Sequence, residues 1–253
     1  MSRARACSGL LAALAVCLAA PRAHAYRPFD GTDADVASYR EIELEIGPVG
    51  YLSTADGRRL FAPALVFNYG VVPRVELVLQ AAHAIALGDT HGSPRFGLND
   101  AELAAKVLLL PGSLQGDGRG PSLAGELSAL LPGTTEHGAG AELSGIISEQ
   151  WPALTLHGNF ALALTRSRYL APFVGLIAEG PSRWKVRPVS ELYAARELIG
   201  PVFRRGTTLS GLVGAIWTSR ENLSFDLAAR AALQDGDTDV FELRAGLTWS
   251  FEP

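Results

Sequence analysis

Cysteine is confined to the start of the chain: there are two, Cys7 and Cys17, and none after them. The body of the protein therefore has no disulfide framework, no thiol nucleophile and no thiolate metal site. Long apolar runs are equally scarce beyond residue 25, where no window supplies the ~20 residues that a membrane-spanning helix needs. Basic residues are outnumbered, with 22 Lys and Arg against 26 Asp and Glu. A nucleic-acid or phosphate-binding surface carries the opposite balance. The glycines of "GSLQGDGRGPS" (residues 112–122) are not followed by Gly-Lys-Ser/Thr and lie between strand patterns, so they form a turn and no phosphate cradle.

The start of the chain reads as a secretory signal peptide. Arg3 and Arg5 precede an apolar stretch, "GLLAALAVCLAA" (residues 9–20), and Ala23-His24-Ala25 fits the small-x-small cleavage pattern. Lipoprotein processing at Cys17 is the alternative, but Val16 is a poor fit before that cysteine. Cleavage after Ala25 takes both cysteines and three arginines, Arg3, Arg5 and Arg22, with the leader. The expected organisation is a signal peptide at 1–25, a periplasmic segment at 26–39 and one domain over 40–253.

Period-two alternation fills that domain. "EIELEI" places Glu41, Glu43 and Glu45 on one face and Ile42, Leu44 and Ile46 on the other, which suits a half-buried strand and no amphipathic helix. The closing stretch sets Phe241, Leu243, Ala245, Leu247, Trp249 and Phe251 against Glu242, Arg244, Gly246, Thr248 and Ser250. Such segments, separated by Gly-, Pro-, Asp- and Ser-rich turns, are expected near 40–51, 59–69, 74–85, 98–110, 121–131, 139–149, 153–164, 170–179, 186–195, 207–218, 222–233 and 240–251. Each is long enough to cross a bilayer as a tilted strand of about 9–11 residues. With alternating strands, Trp151, Trp184, Trp217 and Trp249 all fall at one end, where interfacial aromatics belong. A soluble sandwich gives no reason for that clustering. The fold expected is all-β: an antiparallel transmembrane β-barrel of about 12 strands, both termini periplasmic, in the outer membrane of a Gram-negative cell. Gly246, Trp249 and Phe251 in the last strand match the signal by which the barrel assembly machinery recognises its clients, although Glu252 and Pro253 follow the aromatic that usually ends such a chain.

"RPFDGTDADVASYREIELEIG" (residues 27–47) resembles the opening of the outer-membrane proteins assigned to the MetA pathway of phenol degradation, a transporter-like family. The matching residues are Arg27, Pro28, Thr32, Asp33, Ala34, Val36 and the strand from Glu41; Ser38-Tyr39-Arg40 replaces the family's glycine before that strand. The resemblance implies a barrel and passage or binding of small hydrophobic or aromatic compounds. It brings no catalytic residues.

With the apolar row in lipid, the other row faces the lumen. Glu41, Glu43, Glu45, Glu76, Glu102, Glu126, Glu142, Glu179, Glu191, Asp226 and Glu242 collect there, against Lys106, Arg187, Arg230 and Arg244. An open lumen of this kind disfavours anions and suits cations or neutral solutes. In a closed, structural barrel the same carboxylates pair with arginines on neighbouring strands. A lipid hydrolase is the enzyme alternative, since Ser144 and His157 share a face of one expected hairpin with Asn159 nearby. No Gly-x-Ser-x-Gly elbow accompanies them, and a polar lumen strand accounts for His157 equally well. His83, His91 and His137 lie in or near loops without ligand spacing. The reading is a channel or transporter for an unidentified small solute, not an enzyme, with lipid and the assembly machinery as partners and no cofactor, metal or nucleic acid.

Overall fold

The computed structural model describes residues 27–54, 57–88, 94–116, 119–134, 137–198, 205–234 and 237–253. The leader expected at 1–25 and His91 lie outside them. Twelve strands follow in chain order: β1 (Ile42–Thr54), β2 (Gly57–Val72), β3 (Val75–Leu87), β4 (Phe96–Leu110), β5 (Ser122–Leu130), β6 (Gly140–Gln150), β7 (Thr155–Leu164), β8 (Leu170–Glu179), β9 (Val186–Leu198), β10 (Arg205–Arg220), β11 (Leu223–Gln234) and β12 (Asp237–Phe251). Each pairs antiparallel with the next, and β1 pairs with β12 to close the barrel. The seam runs from Ile42 opposite Phe251 to Ser53 opposite Phe241. A closed sheet leaves no edge, so every strand finds its main-chain partners within the wall, as a lipid environment demands.

Alternation decides which way each side chain points. On β10, Leu209 and Val213 are exposed while Leu212 and Ile216 are buried; on β12, Leu243 and Trp249 are exposed while Glu242 and Thr248 are buried. Leu143, Leu192, Val213 and Leu227 are 64%, 64%, 65% and 65% exposed. An apolar surface of this extent around the whole wall belongs in lipid, since soluble monomers expose only small apolar patches. Two prolines interrupt the ladders, because proline brings no N–H. Pro48 lies where β1 shifts register against β12, and Pro63 where β2 shifts against β3.

All four tryptophans lie at one end of the barrel and are exposed. Trp151 and Trp184 occupy the turns after β6 and β8, and Trp217 and Trp249 sit near the ends of β10 and β12. Trp217 stacks on Phe225 at 5.4 Å between ring centres, and Trp249 lies 4.7 Å from Phe251. The start of β1 and the end of β12 are at this same end.

If this end faces the periplasm, the turn between β7 and β8 faces outward. A cysteine placed at Ser167 should then react on intact cells with a membrane-impermeant maleimide. A cysteine at Arg183, in the turn between β8 and β9, should react only after the outer membrane is opened. Labelling in the opposite sense would reverse the topology.

Candidate functional site in the barrel lumen

The lumen is not empty. The segment expected at 26–39 as a periplasmic stretch ahead of the barrel is found, over residues 27–40, inside the wall, running from β11 and β12 past β9, β7 and β6 to β3. The reason lies in the inner row of side chains, whose acceptors find donors on the segment's main chain. The Asp30 and Gly31 amides donate to the two carboxylate oxygens of Glu191, at 2.9 and 2.7 Å. Asn159 pairs with Thr32 as a neighbouring strand would, accepting from its N–H at 2.9 Å and donating to its carbonyl at 2.8 Å. The Ala34 amide donates to Ser148 Oγ at 2.8 Å, and the Ala37 amide to Glu76 at 2.6 Å. Gln115, held by Ser122, donates to the Ala34 carbonyl at 3.1 Å.

Ion pairs add to these bonds. Arg244 donates to the Pro28 carbonyl at 2.7 Å and to Asp30 at 2.6 Å. Its Nε and Nη2 also donate to Glu242, each at 2.9 Å. Arg230 donates to the same carboxylate at 2.8 Å and to the Tyr193 hydroxyl at 2.7 Å. Lys106, fully buried, lies 3.4 Å from Asp33 and 3.7 Å from Glu76. Apolar contacts pin the segment at two further points: Phe29 against Val189 and Ile216, and Ala34 against Ala124 and Ile146.

At its first described residue the segment lodges in a slot made by two glycines. A Cβ built on Gly47 would lie 2.6 Å from the Arg27 guanidinium, and one on Gly246 would lie 2.5 Å from Arg27 Nε. Any side chain at either position would displace Arg27, whose Nε lies 3.8 Å from Asp226. Gly246, read from the sequence as part of an assembly signal, thus also has a role inside the lumen.

The remaining candidates fall into three groups. Glu41, just ahead of β1, accepts from the Ser38 amide at 2.9 Å. Glu43 accepts from Ser250 at 2.9 Å and Glu45 from Asn68 at 3.1 Å, so these carboxylates do not take Arg230 or Arg244 as hydrogen-bond partners. Glu102, Glu126 and Glu142 line a cavity of about 250 Å³ with Asp30, Gly31 and Thr32. Gln80 donates to Glu102 at 2.7 Å and Ser144 to Glu142 at 3.0 Å. A larger cavity of about 990 Å³, lined by Glu43, Glu76, Lys106, Arg187 and the segment from Asp33 to Tyr39, lies towards the tryptophan end. The segment stands between the two cavities.

The serine that meets His157 is Ser148, not Ser144. Gln150 pairs opposite Thr155, which sets Ser148 opposite His157 and Ser144 opposite Ala161. Ser148 Oγ is 2.8 Å from His157 Nδ1, His157 Nε2 is 3.3 Å from Glu179, and Glu179 is 3.5 Å from Arg187. The order is that of a nucleophile, base and orienting acid. Yet Ser148 is fully buried and its oxygen already accepts the Ala34 amide, so this chain of contacts holds the segment. No group of three or more His, Cys, Asp or Glu among the described residues is arranged to hold a metal ion.

No family model and no curated protein matches the chain. Solved structures do. The COG4313 outer membrane channel from Pseudomonas putida F1 is 13% identical, covers 88% of this chain and 100% of its own, and superposes with a TM-score of 0.61. The NanC porin is 6% identical over 82% of this chain and 98% of its own, with a TM-score of 0.56. The KdgM porin, solved with disordered oligogalacturonate, is 10% identical over 83% of this chain and 99% of its own, with a TM-score of 0.53. At these identities the likeness is one of fold: a closed antiparallel outer-membrane barrel.

Gly47→Val tests the slot. The barrel should still fold, shown by heat-modifiable mobility in a gel, while Arg27 loses its seat and the conductance in a planar bilayer rises several-fold. Arg27→Ala should do the same. Wild-type conductance in both would remove Arg27 as an anchor.

Proposed function

We propose that this barrel is an outer-membrane channel for small solutes, closed at rest by its own N-terminal segment. The observation that carries the reading is the segment's position between two lumen cavities. A purely structural barrel has no use for a space of about 990 Å³ on one side of such a plug. The structural neighbours named as channels and porins support the same reading. Opening requires that the segment leave, because its main chain fills the path between the cavities.

The solute is set by the inner wall. Glu102, Glu126 and Glu142 line the far cavity without a basic side chain among its lining residues. In a narrow lumen with low-dielectric walls such a field acts strongly on a passing ion, more so at low salt, where screening reaches about 30 Å at 0.01 M. Cations and neutral molecules are therefore favoured over anions. The resemblance of the opening residues to phenol-pathway barrels points further, to small hydrophobic or aromatic compounds among the neutral solutes.

Planar-bilayer recording tests the proposal. The wild-type barrel should conduct little, and a chain with the segment loosened by Asp30→Asn and Asp33→Asn should conduct more, with a reversal potential that favours cations. Adding Glu102→Gln, Glu126→Gln and Glu142→Gln should reduce that preference while leaving the fold intact. A loosened barrel that passes no current would remove the channel reading. Assembly has its own test. Phe251→Asp adds a charge near the interface, where the cost to the folded barrel is about 0–1 kcal/mol. It should therefore lower the amount of protein in the outer membrane far more than the stability of refolded material; unchanged membrane levels would contradict a role for the last strand in recognition.

A further inference from the structure

The contacts that hold the N-terminal segment are unusual in what they read. Glu191 binds two successive amides, Asn159 binds both the N–H and the C=O of one residue, and Ser148 and Glu76 each bind one amide. These partners are main-chain atoms, so a peptide that takes up the same bends at Asp30, Gly31 and Ala34 presents the same donors and acceptors. Residue identity enters at particular points, beyond the Arg27 slot between Gly47 and Gly246 and the seat of Phe29 against Val189 and Ile216. Gly31 lies so close to the wall that an added Cβ would stand 3.1 Å from both Asn159 and Glu191. Ala34 is fully buried. Asp30 meets Arg244, and Asp33 meets Lys106. The pattern read is acid, small, hydroxyl, acid, small, on a backbone bent at Asp30, Gly31 and Ala34, with the Thr32 hydroxyl accepting from Lys106 at 3.2 Å.

We propose that this row of side chains is a binding track for acidic peptides supplied from outside the chain, with the N-terminal segment as a tethered occupant. The site would admit a peptide of about the segment's length carrying carboxylates three residues apart and small residues beside them. The inference rests on the lumen geometry and goes beyond the channel reading, because it names a ligand class. Tethering explains why the track is full: a short tether gives its segment an effective concentration in the millimolar range. A free peptide of equal intrinsic affinity competes only at similar concentration, or once the tethered segment has been weakened.

The test uses the full-length barrel carrying Gly31→Val and Ala34→Trp. Both substitutions are in the segment and neither is in the track, so they expel the occupant and leave the wall unchanged. A synthetic peptide of sequence RPFDGTDADVASY, copied from residues 27–39, is titrated into the refolded variant and followed by calorimetry. It should bind the variant at least about tenfold more tightly than it binds the wild-type chain. A peptide N-methylated at the positions of Gly31, Thr32 and Ala34 should lose roughly tenfold for each blocked hydrogen bond. A peptide with both of the first two aspartates changed to asparagine should also weaken. Binding of the methylated peptide as tight as that of the parent would show charge attraction alone and overturn the track, as would the absence of binding to the variant. If the double variant does not give a heat-modifiable barrel, the Asp30→Asn, Asp33→Asn chain takes its place, and lack of peptide binding there is equally decisive. Because binding heat is read without current, a barrel that binds peptide but never conducts would sink the channel reading and leave this one standing.

Discussion

The structure depends on how an acidic, partly dry lumen is kept neutral and hydrogen-bonded. Alternation within a closed sheet forces one row of every strand inward, and here that row is rich in carboxylates. Burying a carboxylate without partners costs several kcal/mol. Strand-borne bases meet part of the demand: Arg230 and Arg244 share Glu242, and Lys106 sits among Asp33, Glu76 and the neighbouring strand's Glu126. The rest is met by a length of main chain. Amides of residues 30, 31, 34 and 37 bring donors to Glu191, Ser148 and Glu76 without bringing bulk. The plug is thus the complement of the lumen wall as much as an obstruction within it.

Much of the architecture was legible from periodicity. The twelve strands of the sequence reading lie within about three residues of the observed boundaries, as 98–110 against Phe96–Leu110 and 222–233 against Leu223–Gln234 illustrate. This works because a strand with lipid on one side and a polar lumen on the other must alternate strictly, and any slip exposes a whole row to the wrong medium. The tryptophans at one end were legible for the same reason. The course of residues 27–40 was not. Their partners lie far off in the chain, 216 positions away at Arg244 for the Pro28 carbonyl, and an irregular polar stretch has no period to read. One signal did exist: the inner row has many more acids than bases, so donors had to come from elsewhere. Ser148 was missed for a local reason, since placing the centre of the turn after β6 two residues early sets Ser144 opposite His157 in its place.

The site and the barrel use the same residues differently at different heights. Near the tryptophan end the lumen opens into a wide cavity where Glu43 and Glu76 face Arg187. At mid-height the wall is given over to holding the segment. Beyond it the smaller cavity is acid-lined. Under the proposed channel function, a solute crossing this barrel would meet a charged vestibule, a peptide barrier and an acidic mouth. Gly47 and Gly246 mark where that barrier is seated: two positions on adjoining strands with no side chain, between which Arg27 lies.

The most direct measurement is a reversible lock on the segment. With Ala34→Cys and Ser148→Cys in the same chain, the residues that share a 2.8 Å hydrogen bond in the structure become candidates for a disulfide. The account predicts that the bond forms under mild oxidation, that the oxidised barrel passes little current in a planar bilayer, and that reductant raises the current within the same recording. Failure of the two cysteines to cross-link in a folded barrel, or identical currents before and after reduction, would contradict the claim that this segment lies in the lumen and closes it.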